Sequence, residues 1–222
     1  ANGVMVDYEG AEEEEWLEAY IDTITEGSLS LYWDYYGEQE INTYEVYVNG
    51  KLHSELTGEE NFLEIDGLKP ATEYDLEVKA YNGDGDLVLS SEISETTWSE
   101  PTGNTVPFKD NNLKELIKEQ LGLDRDLRVS DLEKLSSLYL IDSDIKDLSG
   151  LEYASNLYDF YVFGNAYDLD LTPLKNLSEL SYVHIEDADL KNYSILKDLK
   201  KVSSLAIVNS KLSDISFISG MT

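Results

Sequence analysis

The stretch Leu135-Ser136-Ser137-Leu138-Tyr139-Leu140 sets a phase that returns three times. It reappears as Leu157-Tyr158-Asp159-Phe160-Tyr161-Val162, Leu180-Ser181-Tyr182-Val183-His184-Ile185 and Val202-Ser203-Ser204-Leu205-Ala206-Ile207. The first positions lie 22, 23 and 22 residues apart. Other positions keep the phase: Ser143 and Ile145, Asn165 with Tyr167 or Leu169, Ala188 and Leu190, Ser210 and Leu212. A return side is phased as well, with Leu148 and Leu151, Leu171 and Leu174, Tyr193 and Leu196, Ile215 and Ile218. A period of this size marks repeated units that cannot bury their apolar faces alone. Stacking buries the leucines in a continuous row and sets short strands side by side as a parallel sheet on a concave side. We read residues 135–222 as about four such repeats, with the residues between the leucines facing outward.

The composition bounds what these repeats can do. The 222 residues are enough for one or two domains, and 41% hydrophobic with 11% aromatic residues argues against disorder. Forty-six acids against 16 bases leave a net charge of -30. Residues 1–100 hold 26 acids and 3 bases; residues 101–222 hold 20 and 13. A field of this sign repels phosphate backbones and anionic lipid, so nucleic acid and membrane surfaces are disfavoured partners. The chain has no cysteine, which removes thiolate catalysis, cysteine zinc sites and disulfides. No apolar run of about 18 residues exists, so no helical membrane insertion is expected. Ala1-Asn2-Gly3 has none of the features of a signal peptide, and a chain whose export signal was already removed would begin in this way.

Taken in order, residues 1–15 form an acidic tail that includes the run Glu12 to Glu15. Residues 16–98 read as half-buried strands. Leu29, Leu31 and Trp33 alternate with polar or outward residues, as do Tyr44, Val46 and Val48, then Leu63 and Ile65, then Tyr74, Leu76, Val78 and Ala80. Asn49-Gly50 marks a hairpin turn, while the first strand stays poorly defined. Such spacing predicts a small β-sandwich. Residues 99–107, with Pro101, Gly103 and Pro107, read as a linker. In 108–134, Asp110, Asn111 or Asn112 can cap a helix whose Leu113, Leu116, Ile117 and Leu121 share a face. Asn112 with Glu115, and Ser130 with Glu133, have capping-box spacing. This helical segment is placed to cap the first repeat.

These residues carry two resemblances. Leu68-Lys69-Pro70-Ala71-Thr72-Glu73-Tyr74-Asp75-Leu76-Glu77-Val78-Lys79-Ala80, with Trp33 upstream, resembles the fibronectin type III signature. It implies a seven-stranded sandwich in which the Tyr74 hydroxyl is tied back to nearby backbone. Val106 to Leu113 and Val129 to Leu135 resemble the N-terminal cap of internalin-like leucine-rich repeat proteins of Gram-positive bacteria. Ile145 to Leu151 and Leu171-Thr172-Pro173-Leu174 match their 22-residue repeat. The implied fold is two-domain: an all-β fibronectin type III-like sandwich, then an α/β leucine-rich repeat solenoid with an N-terminal helical cap. Three departures stand out. The ladder asparagine is kept only at Asn165, being Ser143, Ala188 and Ser210 elsewhere; the second repeat carries one extra residue near Tyr167; and no C-terminal cap follows Gly220-Met221-Thr222. We therefore expect a fragment of a longer chain.

Strand alternation sends Tyr139, Ile141, Tyr161, Phe163, Tyr182, His184, Ala206 and Val208 to the concave face, with Tyr139, Tyr161 and His184 in one row and Ile141, Phe163 and Glu186 beside it. Clustered aromatics are binding anchors, and the internalin resemblance implies a partner protein held there. The competing reading is a cross-strand ladder that only stabilises the sheet. His184 reads as a partner of Glu186 or Asp187 and not as a metal ligand. Asn82-Gly83-Asp84-Gly85-Asp86 has half of a calcium-loop spacing but carries Leu87 and Ile93 where glycine and glutamate are required, so it reads as a turn. No motif fixes a catalytic pair, and no catalytic residue, metal ligand or cofactor is assigned. Asn176 and Asn192 fit a glycosylation acceptor pattern that carries no weight in a bacterial chain.

The expectation is a non-enzymatic surface or secreted bacterial protein. Through the concave face it would recognise a host or bacterial surface protein or a glycan. The alternatives are a structural spacer or assembly module of a larger surface protein, or an accessory domain of a secreted enzyme.

Overall fold

The computed structural model describes residues 15–164, 167–212 and 214–220. The acidic tail, apart from Glu15, and Asn165 of the expected ladder lie outside the described residues. The chain divides into two compact units, Ala1–Ser99 and Glu100–Thr222.

The described residues of the first unit form seven strands: β1 (Trp16–Ile24), β2 (Leu29–Tyr36), β3 (Thr43–Val48), β4 (Lys51–Thr57), β5 (Phe62–Ile65), β6 (Glu73–Tyr81) and β7 (Leu87–Thr96). They form two antiparallel sheets, ordered β1-β2-β5 and β4-β3-β6-β7. Alternation sends Leu29, Leu31, Trp33, Tyr44, Val46, Ile65, Leu76, Val78 and Ala80 into the space between the sheets, where all are buried. Asn49 and Gly50 both hold positive φ (50° and 72°), as the two-residue turn joining β3 to β4 requires. The Tyr74 hydroxyl accepts the Lys69 N–H at 2.9 Å, so the expected corner is present. The Asn82-to-Asp86 segment is the β6–β7 hairpin turn, in which the Asn82 side-chain oxygen accepts the N–H groups of Asp84 and Asp86.

In the second unit, α1 (Asn111–Gln120) begins at Asp110, whose Oδ1 accepts the N–H groups of Asn112 and Leu113. The Asn112 and Glu115 pair therefore plays no capping part. The helix ends with Gly122 N–H donating to Glu119 and Leu123 N–H to Lys118. Leu113, Ile117 and Leu121 are buried. The second expected box is also displaced. Helix α2 (Val129–Leu132) starts at Arg128, whose N–H donates to Asp131 Oδ2 at 2.7 Å. Ser130 Oγ instead accepts the Thr102 N–H. Asp131 is fully buried and takes the Arg125 guanidinium on both oxygens, at 2.7 and 3.0 Å. The 99–107 stretch is tied to this unit from Thr102 onward: Val106 N–H donates to Leu127, and Thr105 bridges Arg128.

Strands β8 (Ser137–Ile141), β9 (Asp159–Phe163), β11 (Tyr182–Glu186) and β13 (Ser204–Val208) form a parallel sheet in the order β13-β11-β9-β8. Leu138 faces Phe160, Phe160 faces Val183 and Val183 faces Leu205, so the 22-, 23- and 22-residue steps become strand register. Two short strands, β10 (Tyr167–Asp170) and β12 (Asp189–Lys191), pair in a second parallel ladder. Short 3-10 turns return the chain, burying Leu151, Leu174 and Leu196.

Two recurring devices hold this ladder. Each long strand ends in a left-handed residue: Asp142 (φ 43°), Gly164 (68°), Asp187 (51°) and Asn209 (49°). These are the residue types that tolerate this conformation. The N–H groups of Asp142, Gly164 and Asp187 donate to the last residue of the next strand, Phe163, Glu186 and Val208. The second device opens the 3-10 turns. Asp147 accepts the Ser149 N–H, Asp170 the Thr172 N–H and Asp214 the Ser216 N–H, at 2.7, 2.8 and 2.8 Å. The Ser149 and Thr172 hydroxyls, then these N–H groups, hold Asp147 and Asp170 below the usual carboxylate range, and the Ser216 N–H followed by its hydroxyl does so for Asp214.

Burial pulls the Asp131 carboxyl upward, but Arg125, the Arg128 N–H and Lys134 outweigh it and hold it below its ordinary value. A depressed folded pKa stabilises above the unfolded value of about 3.9 and ceases to do so as pH falls through the folded value. Denaturant titrations of the second unit should therefore show stability falling below about pH 4, with a shallower fall in Asp131→Asn. Asp131→Ala, which removes the buried acceptor of the Arg125 guanidinium and of the Arg128 N–H, should cost about 3 kcal/mol at neutral pH. Tyr74→Phe should destabilise the sandwich by about 1 kcal/mol, measured by urea unfolding.

Candidate functional site

Inward positions of the long parallel strands are filled by Leu138, Leu140, Phe160, Val162, Val183 and Ile185, all buried. The alternate positions stand on the outer face in three rows. Ser137, Asp159, Tyr182 and Ser204 form the first; Tyr139, Tyr161, His184 and Ala206 the second; Ile141, Phe163, Glu186 and Val208 the third.

In-register parallel pairing sets row neighbours at the inter-strand spacing of about 4.8 Å. The Tyr139 and Tyr161 rings accordingly lie 4.8 Å apart and parallel within 4°. Phe163 and His184 stack at 4.9 Å. Tyr161 is 6.1 Å from both Phe163 and His184, so four rings make one connected group. Ile141 is 63% exposed and Tyr139 45%, which leaves the rim of the group open to a partner. The structure thus gathers Tyr139, Ile141, Tyr161, Phe163, His184 and Glu186 in adjoining rows. Tyr182 falls one row away and instead meets Tyr158, with ring centroids 5.3 Å apart.

Tyr158 was missed by strand alternation because it precedes β9. Comparing same-phase positions would have found it, since Ser136, Ser181 and Ser203 occupy the equivalent places. Tyr158 also anchors the ladder through its backbone, its carbonyl accepting the N–H groups of Ser181 and Tyr182.

Polar groups on this face are paired locally. His184 Nε2 lies 3.1 Å from Glu186 Oε2, and Asp159 Oδ2 accepts the Ser137 hydroxyl at 3.2 Å. Burial among its neighbours pushes the Tyr161 phenol up, with Asp159, Tyr139 and Tyr182 adding to the effect. The hydrogen bond and nearby charge of Tyr158 raise Tyr182. Both phenols stay neutral near pH 7 and can donate hydrogen bonds. Stacking takes up one face each of Tyr139 and Tyr161, and the group also offers ring edges and hydroxyls. Among the described residues no cluster of three or more His, Cys, Asp or Glu side chains converges as a metal site.

Residues 17–106 match the family profile of the fibronectin type III domain, so the first unit is an all-β sandwich of that type. No curated protein matches the sequence. Among solved structures, an internalin from Listeria monocytogenes aligns with 26% identity and a TM-score of 0.47, covering 51% of this chain and 34% of its own. The chain thus spans about a third of that protein's length. A fibronectin type III domain of human contactin 1 aligns at 19% identity and a TM-score of 0.35, covering 47% of this chain and 94% of its own. The spore cortex lytic enzyme SleM of Clostridium perfringens aligns at 22% identity and a TM-score of 0.31, covering 36% and 26%.

A double-mutant cycle on Tyr139→Ala and Tyr161→Ala, read by denaturant unfolding, should give a coupling of about 1 kcal/mol. Strict additivity would show that the two rings do not support each other.

Proposed function

We propose that residues 135–222 form a leucine-rich repeat solenoid closed at one end by the helical segment 108–134. On this reading the protein is a non-enzymatic binding module, secreted or displayed on a bacterial surface, that holds a partner on the outer face of the parallel sheet. The observation that carries it is the connected ring group of Tyr139, Tyr161, Phe163 and His184, standing in register on an open sheet face and bordered by exposed Ile141. Aromatic side chains fixed by their neighbours bury area at low entropic cost, the property of interface anchors. The partner is a protein or a glycan, met by stacked rings whose outermost member, Tyr139, is 45% exposed.

The same stacking supports a second reading, a spacer or assembly module in which the rings only brace the sheet. A pull-down of host-surface and bacterial-surface proteins, run beside a glycan array, separates the two. The parent chain and a folded Tyr139→Ala/Tyr161→Ala variant are compared. A ligand kept by the parent and bound at least about tenfold more weakly by the variant supports the receptor face. Equal capture by both, or none by either, moves the assignment to the spacer.

A further inference from the structure

The sandwich carries a second exposed aromatic surface, independent of the repeat face. On the outer side of β1, β2 and β5 the register aligns Trp16 with Tyr36, Glu18 with Asp34, and Tyr20 with Tyr32 and Phe62. Trp16 and Tyr36 stack at 4.6 Å, Tyr20 and Tyr32 at 5.7 Å, and Tyr32 meets Phe62 at 4.7 Å. Tyr36 is 63% exposed, and Trp16, Tyr20 and Phe62 are each about two-fifths exposed. A row of carboxylates therefore lies between two rows of rings, each step about 7 Å along the strands. Glu64, holding the Ser30 hydroxyl at 2.6 Å, continues the acidic side. None of these three strands contains a lysine, arginine or histidine.

Ring stacking accounts for the aromatic rows as sheet braces, but it does not account for the row between them. Like charges directly across an antiparallel pair destabilise it, and Glu18 faces Asp34 on strands that carry no cation. A second copy of the same surface would set carboxylate against carboxylate. Charge complementarity therefore calls for a cationic occupant, and the exposed rings call for one that is planar. We propose that this face docks an arginine-bearing polypeptide segment, with guanidinium groups forked onto Glu18 and Asp34 while lying against Trp16, Tyr36 and Tyr20. Arginine fits where lysine does not, because its flat fork can bridge carboxylates and stack on a ring at the same time.

The test is fluorescence anisotropy of a labelled oligo-arginine peptide against the full chain at physiological salt. Four variants are compared: Trp16→Ala/Tyr36→Ala, Glu18→Gln/Asp34→Asn, the charge-matched control Glu55→Gln/Glu92→Gln on the opposite sheet, and Tyr139→Ala/Tyr161→Ala. The first two should weaken binding about tenfold each and the last two less than about twofold. Oligo-lysine should bind more weakly than oligo-arginine. Glu18→Gln/Asp34→Asn should also melt above the parent, since it removes the repulsion, so its loss of binding is not a loss of fold. Equal weakening by the control charge pair would overturn the proposal in favour of diffuse attraction to an acidic protein. So would equal affinity for oligo-lysine, no binding by the parent, a glycan captured through Trp16 and Tyr36, or self-association abolished by the same substitutions.

Discussion

The second unit depends on how the free edge of β8 is covered. A parallel sheet exposes a column of unpaired backbone groups on its first strand, and these must find partners or water. Helix α1 and its cap supply one partner on β8 itself and two on the segment that follows it. Gln120 Nε2 donates to the Ser137 carbonyl at 2.6 Å, Asn112 Nδ2 to the Asp144 carbonyl at 3.4 Å, and Asp110 Oδ2 accepts the Lys146 N–H at 2.6 Å. Asp110 thus serves two ends at once, one oxygen starting its own helix and the other fixing the first repeat. Leu113, Ile117, Leu132 and Leu135 are buried on the apolar side. Once β8 is seated, each later strand inherits its register from the one before.

This arrangement also redefines what the acidic composition means. In the second unit many carboxylates are structural acceptors: Asp147, Asp170 and Asp214 open turns, Asp131 binds Arg125, and Asp189 binds the N–H and ammonium of Lys211. On the sandwich some carboxylates also accept hydroxyls, as Glu64 does from Ser30 and Asp75 from Ser94, while Glu18 and Asp34 are displayed and opposed. The net charge is the sum of two populations that do different work.

What was legible in the sequence follows from steric periodicity. Leucine phasing announced the strand register, and alternation placed Tyr139 beside Tyr161 and His184, because side-chain direction in a strand is set by backbone geometry alone. Features decided by competition between side chains were not legible. Ser130 and Glu133 have the right spacing for a cap, yet the buried Asp131–Arg125 pair moves the helix start to Arg128. The first sandwich strand was obscure because Trp16 and Tyr20 face outward as large apolar residues, while a bulge between Ile21 and Thr23 breaks the alternation. Tyr158 lay outside any strand pattern. The left-handed residues Asp142, Asp187 and Asn209 passed unremarked because their repeat shares a backbone angle and not a residue identity.

Serial pairing has a mechanical consequence. Within the sheet each long strand pairs only with its immediate neighbours, in the order β13-β11-β9-β8. A pull along the stacking direction therefore loads one ladder at a time, like a zip and not like a shear joint. Each released unit pays out roughly 70 to 80 Å of extended chain. The sandwich responds differently, since its β6 and β7 pair antiparallel over nearly their whole length.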